Sequence, residues 1–449
     1  MDASRPDFPP ADVLNLPHYH GLLPREDIAE LLVKEGQFLI RISEPEAEKQ
    51  DKEIIISFFQ NQGGDDDRKS GRTARTAAPS ANTSGRRNSG KEKKGPIKHM
   101  IVHFIDQEYS VDQKKKFKTF ADLIDNYATK EAPAGENERP EKSHKCRLDQ
   151  GIPRQIWEYE HKDVHLEKKL GNGEFGEVWK GQVMRKGTKP KLVDVAIKLA
   201  KGETTALKKK RKEIMLENRM MRDLLHPNVV RAYGVAVLQN PIYILLELIN
   251  GGDLLKFLKS PTKPKKKDLK KLVFQAACGI EFIHQKEVIH RDLAARNCLY
   301  DGDRLRISDF GLSQGAFSYK SDVWAFGCLV VEIYSYGDLP YAGKSNAEVR
   351  EVAMRGGSPK LPEQAPTAIS TFFNEFVWAD EKKRAGMTGI VDLLATLGNF
   401  QRPTPGTEED NNNIGDVSLA GTQSVHKGNP DKAIEDDDDK TAERKPQPA

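Results

Sequence analysis

Apolar residues fall into two rhythmic blocks, set apart by stretches that have no rhythm. In the first block, Ile28, Leu31 and Leu32 recur at helical spacing and mark one face of a short helix, which Gly36 ends. The run Gln37-Phe38-Leu39-Ile40-Arg41-Ile42-Ser43 reads as a strand, as do residues 53–60 and 97–105, and a helix closes the block over residues 117–128. Between the second and third strands, residues 61–95 are Gly, Ser, Arg, Asp and Lys without periodicity, a low-complexity insert expected to be disordered. Residues 131–155, rich in Pro, Gly and charge, read as a linker. The second block alternates around the glycines of Leu170-Gly171-Asn172-Gly173-Glu174-Phe175-Gly176-Glu177-Val178, the mark of a hairpin. An apolar strand ending in Lys198, a helix over 208–224 and a buried strand over 241–247 follow. Leu269, Leu272, Val273, Ala276, Ala277 and Ile280 then trace the apolar stripe of a core helix.

Composition narrows the classes. With 449 residues, 37% apolar and 31% charged, the chain has room for two to three domains joined by polar connectors. Lys and Arg number 71 against 67 Asp and Glu, a net charge of +4, which gives no general case for nucleic acid. The lysine runs at 208–212 and 264–271 lack interleaved aromatic residues and read as solvated faces. Cys146, Cys278, Cys298 and Cys328 are scattered, as expected in a reducing compartment. Residues 1–10 lack the apolar core of a signal peptide, and Asp2 excludes N-myristoylation. The apolar run near 325–333 is short and interrupted by Gly327 and Glu332, so no bilayer span is expected.

Two kinds of position carry chemistry. Arg41 stands in an apolar strand, and burying a guanidinium is costly unless an anion meets it. An exposed place on an edge strand is the plainer alternative. In the second block, Gly171, Gly173 and Gly176 let backbone amides approach phosphate oxygens without side-chain clash. Dinucleotide folds share that glycine spacing but need a helix straight after it, whereas residues 178–182 continue as strand. The loop His290-Arg291-Asp292-Leu293-Ala294-Ala295-Arg296-Asn297 sets a carboxylate and an amide five residues apart, able to face one phosphoryl group. Asp309-Phe310-Gly311 adds a second carboxylate, with Gly311 permitting the turn that aims it inward.

These motifs resemble those of the protein kinases, and Ala294-Ala295-Arg296 is similar to the tyrosine kinases among them. The resemblance implies a bilobal kinase fold over residues 164–397 that transfers the γ-phosphoryl of ATP to protein tyrosine with Mg2+. Asp292 would accept the proton of the substrate hydroxyl, Arg296 would contact the substrate side, and Asn297 and Asp309 would hold magnesium. ATP would lie against Leu170, Gly171, Asn172, Gly173, Glu174, Phe175, Gly176, Val178 and Ala196, with Glu247 to Ile249 as the hinge. Lys198 would meet the phosphates and pair with Glu217, and Asp322 would hold the catalytic loop.

The first block resembles an SH2 domain over residues 17–130, a central antiparallel sheet flanked by two helices. His18-Tyr19-His20-Gly21 is similar to its opening motif, with His18 where most members carry Trp. That resemblance implies a phosphotyrosine pocket in which Arg41 pairs bidentately with phosphate and Arg25, Ser43 and His99 line the walls. The order of modules is similar to the Fer/Fes non-receptor tyrosine kinases. The expected organisation is an α+β chain with an extension at 1–16, an SH2 domain at 17–130, a linker at 131–163, a kinase domain at 164–397 and a disordered tail at 398–449. Phosphotyrosine proteins and tyrosine substrates are the expected partners. The expected place is the cytoplasm, with recruitment to the inner face of the plasma membrane.

One departure cuts across the resemblance. Only residues 312–320 separate Gly311 from Ser321, where the family has about 25–30 more, ending in Ala-Pro-Glu. Tyr319 is the one tyrosine in that span, and Arg384 is left without the Glu it would pair with. The nucleotide side is complete and the peptide platform is not. Either the segment is shortened by splicing or a gene-model gap, or the chain is a kinase-like scaffold without efficient phosphotransfer.

Overall fold

The computed structural model describes residues 8–43, 52–60, 97–128, 148–173, 176–186, 190–200, 205–310 and 317–406. The low-complexity insert, most of the linker and the chain after Gly406 lie outside the described residues.

Helices α1 (Ala11–Leu14) and α2 (Arg25–Leu31) precede strands β1 (Gln37–Ser43), β2 (Glu53–Phe59), β3 (Ile97–Ile105) and β4 (Glu108–Ser110), and α3 (Phe120–Ala128) closes the module. With β5 (Gln150–Gly151) they form a sheet in the order β4-β3-β2-β1-β5, antiparallel except for the β1–β5 pair. The two faces of β1 are both covered. Phe38, Ile40 and Ile42 pack with Phe120, Leu123 and Tyr127, and Leu39 packs with Leu23, Ile28 and Leu32. Each such side chain contributes about 1.5–3 kcal/mol when fully buried. Arg41 and Ser43 share the Leu39 face, because side chains alternate along a strand. Residues read as linker therefore complete the module: β5 adds an edge strand, and Leu148 and Ile152 are buried in its two cores.

Two lobes follow. The smaller is the sheet β6 (Val164–Gly173), β7 (Gly176–Arg185), β8 (Lys191–Ala200), β9 (Ala232–Ala236) and β10 (Ile242–Glu247), in the order β6-β7-β8-β10-β9, with α4 (Thr205–Arg222) inserted after β8. The larger is mainly helical: α5 (Leu254–Leu258), α6 (Lys266–Gln285), the hairpin β11 (Cys298–Tyr300) and β12 (Leu305–Ile307), α7 (Tyr319–Tyr334), α8 (Asn346–Met354), α9 (Thr367–Phe372) and α10 (Met387–Gly398). The apolar stripe read along α6 is buried, Leu269 and Val273 fully so. Residues 399–406, expected in a disordered tail, instead pack on the large lobe, with Phe400 stacked 4.9 Å from Phe274.

Charge ties the first module to the small lobe. Asp27 of α2 is 2% exposed and accepts from Arg219 (Nε 2.9 Å, NH2 2.8 Å) and from Arg222 (NH2 3.1 Å), both on α4. His20 is buried between the Glu158 carboxylate (2.8 Å) and the Ile152 carbonyl (2.9 Å). Gly21, at φ +58°, lies against the Val237 carbonyl, where an added Cβ would come within 2.3 Å. That close approach is why a glycine stands there.

Candidate active site

The cleft between the lobes is built from three elements. Register in the small sheet puts Lys198 of β8 between Val178 of β7 and Ile244 of β10, and Ala196 opposite Leu246. The Lys198 Nζ lies 2.5 Å from Asp309 Oδ1 and 3.5 Å from Glu217 Oε1 on α4. Burial alone would lower the Lys198 pKa, but the charges of Glu217 and Asp309 outweigh it and raise the pKa. Burial likewise works to raise Asp309, and the Lys198 charge and hydrogen bond bring it below the ordinary carboxylate value. Glu217, 4% exposed, is raised chiefly by burial.

The His290–Asn297 loop meets this pair from below. Asp292 accepts from Asn297 Nδ2 (2.7 Å) on one oxygen and from Arg296 NH2 (2.6 Å) on the other. Asn297 O accepts from Ser308 Oγ (2.9 Å), and that hydroxyl also reaches Asp309 Oδ2 (3.3 Å). A chain of polar contacts thus runs from Asp292 through Asn297, Ser308 and Asp309 to Lys198 and Glu217. Two residues here hold left-handed backbone, Arg291 at φ 74° and Asp309 at φ 55°. Such a conformation in a non-glycine residue is strain that the surroundings must hold in place.

The supports are visible. Asp322, 1% exposed at the start of α7, accepts from the His290 amide (2.7 Å), the Arg291 amide (2.9 Å) and His284 Nε2 (3.0 Å). His290 Nε2 donates to the Ser308 carbonyl (3.0 Å) and its Nδ1 accepts from the Asp292 amide (3.3 Å), so the ring is the neutral Nε2–H tautomer. Burial lowers its pKa, in keeping with that form. Glu332 of α7, whose pKa burial raises, accepts from the Ala295 amide at 2.6 Å. Nothing local in the sequence marks Glu332, because it lies 37 residues from the loop it braces.

The remaining expected residues divide. Leu170 is 52% exposed on β6, Gly171 and Asn172 are exposed beside it, and Gly173 and Gly176 face each other across the hairpin. Glu174 and Phe175 lie outside the described residues. The Glu247 side chain is held by the Arg231 amide (3.4 Å) and Arg306 (3.4 Å), while Ile249 is buried in the large-lobe core. Residues 311–316 lie outside the described residues, and α7 starts at Tyr319 behind the cap Ser318. Arg384 donates to Lys320 O (2.7 Å) and Ala379 O (3.1 Å) and stands over the Trp324 ring.

A second polar site lies in the first module. Arg41 is 4% exposed and its Nε points at Ser57 Oγ (3.4 Å), which also contacts His99 Nδ1 (2.9 Å). Its NH2 has no hydrogen-bond partner among the described residues. Desolvation, then the nearby Arg25, lowers the Arg41 pKa to about 10. Desolvation, then Arg41 and Arg25, lowers His99 to about 4. Ser57, on the neighbouring strand, was not read from the sequence; it faces Arg41 through pairing that no local pattern announces.

Comparison with known proteins follows the same division. The protein tyrosine and serine/threonine kinase family model matches residues 164–316 and 313–394, two pieces that meet at the short segment. The SH2 domain model matches residues 18–127. The tyrosine-protein kinase transforming protein Fps of Avian sarcoma virus (strain PRCII) is 31% identical over 409 residues, 84% of this chain and 67% of its own length. Tyrosine-protein kinase Fer of Homo sapiens is 31% identical over 383 residues, 78% of this chain but only 40% of its own length. Fer-related kinase 1 of Caenorhabditis elegans is 27% identical over 411 residues, 84% of this chain and 93% of its own length.

Proposed function

The chain belongs to the SH2-containing tyrosine kinases of the Fps and Fer kind, and on that premise we propose that it transfers the γ-phosphoryl group of ATP to tyrosine hydroxyls of proteins reached through phosphotyrosine binding at Arg41. The observation that carries this reading is the continuous polar chain from Asp292 to Glu217 across the cleft. Asp292 is the base that takes the hydroxyl proton, aimed by Asn297 and balanced by Arg296. Lys198, kept charged by Glu217 and Asp309, is the cation for phosphate oxygens. The donor set suits magnesium. Asp309 offers a carboxylate, and Asn297 has its amide nitrogen engaged by Asp292, which leaves the carbonyl oxygen to ligate. Magnesium, when bound, neutralises charge on the phosphates; positioning and charge stabilisation supply the rest.

Arg41, Arg25, Ser43 and His99, with Ser57 added, form the phosphotyrosine pocket of this reading. Among the described residues no helix is long and apolar enough to cross a membrane. We place the protein in the cytoplasm, in keeping with free Cys278, Cys298 and Cys328, with recruitment to the membrane through phosphorylated partners.

One observation favours a second reading. The short span between Gly311 and Tyr319 leaves the nucleotide side intact and curtails the peptide side, which fits a phosphotyrosine-binding scaffold with impaired transfer. Phosphotransfer to poly(Glu,Tyr), compared between the full chain and Asp292→Asn, separates the two. An enzyme loses about 10²–10⁴-fold of its rate in the variant. Equal signal from both proteins rejects catalysis and leaves the scaffold.

A further inference from the structure

The chain continues past α10 in a defined course. Asn399 caps α10 at φ 49°, and the Phe400 amide donates to Ala395 O (3.0 Å) while its ring stacks on Phe274 of α6. Arg402 then forks onto buried Glu281 of α6 (Nε 3.0 Å, NH2 3.2 Å) and reaches Asp392 of α10 (2.7 Å). Burying a carboxylate is costly unless a cation meets it, so Arg402 is anchored where it lies. After Pro403-Thr404-Pro405, the Gly406 amide donates to Leu225 O at 2.8 Å.

Leu225 lies in the loop that follows α4, which ends at Arg222. The same loop is fixed to the large lobe by the His226 ring stacked on Phe282 (4.9 Å), by Asn228 Nδ2 to Leu305 O (2.8 Å) and by Ile307 N to Asn228 O (2.9 Å). Helix α4 enters this loop after carrying Glu217 to Lys198. Residues 400–406 thus join the two large-lobe helices α6 and α10 to the exit of the small-lobe helix that completes the cleft.

We propose that residues 400–406 are a strap that fixes the exit of α4 and so holds Glu217 against Lys198, with Arg402 and Gly406 as positioning residues. For its consequence the inference rests on the cleft binding nucleotide. Its geometry stands apart from that, and the test keeps the two distinguishable. Three proteins are compared with the full chain: one ended after Gly406, one ended after Asn399, and the full chain with Gly406→Pro. The last removes a single donor and leaves the Arg402–Glu281 pair in place. Amide hydrogen exchange is followed across α4 and residues 224–228, and MgATP affinity is measured alongside.

Ending after Gly406 leaves both readouts unchanged. Ending after Asn399 speeds exchange in α4 about tenfold and weakens MgATP about three- to tenfold, and Gly406→Pro moves both the same way by less. Should the chain ended after Asn399 fail to fold, Gly406→Pro decides alone. Exchange that rises only in α6 and α10 would mean local packing and overturn the strap, as would α4 exchange that none of the changes moves. A full chain that binds no MgATP would retire the phosphotransfer reading, and exchange, which needs no nucleotide, would still judge the strap.

Discussion

Two buried cations, Arg41 and Lys198, sit in opposite electrostatic situations. Lys198 is met from inside by Glu217 and Asp309. Arg41 faces a hydroxyl, a histidine held neutral and another arginine, and one of its nitrogens has no hydrogen-bond partner among the described residues. A cation already paired has little to gain from a new anion unless that anion shares or displaces a carboxylate. A cation with no carboxylate hydrogen-bonded to it among the described residues, Glu26 acting only as a weaker counter-charge, leaves favourable energy to be collected on binding. On this reading the first module stores affinity for a dianion, while the cleft stores a geometry.

The sharpest way to break this contrast is Arg41→Ala. Phosphotyrosine-peptide binding weakens about 10²–10³-fold, since truncating one side of a buried charge pair costs about 2–5 kcal/mol, while the melting temperature holds or rises. A clear fall in melting temperature would show that Arg41 is already satisfied inside the fold. The counterpart is Lys198→Met, which leaves two neighbouring carboxylates without their amine. Breaking a buried pair costs about 3–5 kcal/mol, and the partial exposure of Asp309 reduces this to about 2–3, read by denaturant unfolding. Phosphopeptide affinity stays as it was. Unchanged stability in that variant would remove the distinction from the cleft side.

A third effect is graded with pH. His99 and His226 both titrate at about 4 in the folded chain instead of 6.5, for burial first in each case, with Arg41 and Arg25 adding to it at His99. The unfolded chain therefore binds more protons between pH 6.5 and 4. The contribution of these two histidines to stability is complete above pH 6.5 and declines as pH falls toward 4. The loss is at most about 3 kcal/mol for His226 and less for His99, whose ring lies partly open. A phosphopeptide brings negative charge to the first module, so an NMR titration sees the His99 pKa rise on binding. His226, stacked on Phe282 in the large lobe, keeps its value. A His99 pKa indifferent to the peptide would place the phosphate elsewhere.

Much of both sites was readable because their residues come in short runs. Arg41 stood out as a charge in an apolar strand, and Asp292, Asn297 and Asp309 by tight spacing on one loop and the turn after it. Lys198 and Glu217 were matched across a gap, and the packing of α4 against β8 brought them within reach. Ser57, Glu332 and the Asp27–Arg219–Arg222 cluster were not readable. Each is an ordinary polar residue whose role comes from a neighbour far along the chain. Residues 148–152 read as linker and 400–406 as disordered tail because both are too short for a period to register. They are ordered by a few contacts, such as Ile152 in the α2 core and Phe400 on Phe274.

The sequence by itself determined the chemistry available: a guanidinium in an apolar strand, a carboxylate and an amide on one loop, glycines ahead of a lysine, and only residues 312–320 between Gly311 and Ser321. Tertiary structure alone decided which charges are compensated. Compensation depends on distances between residues as far as 195 positions apart, as between Asp27 and Arg222, and on how much water is excluded between them. Chain order encodes neither quantity, whereas packing sets both.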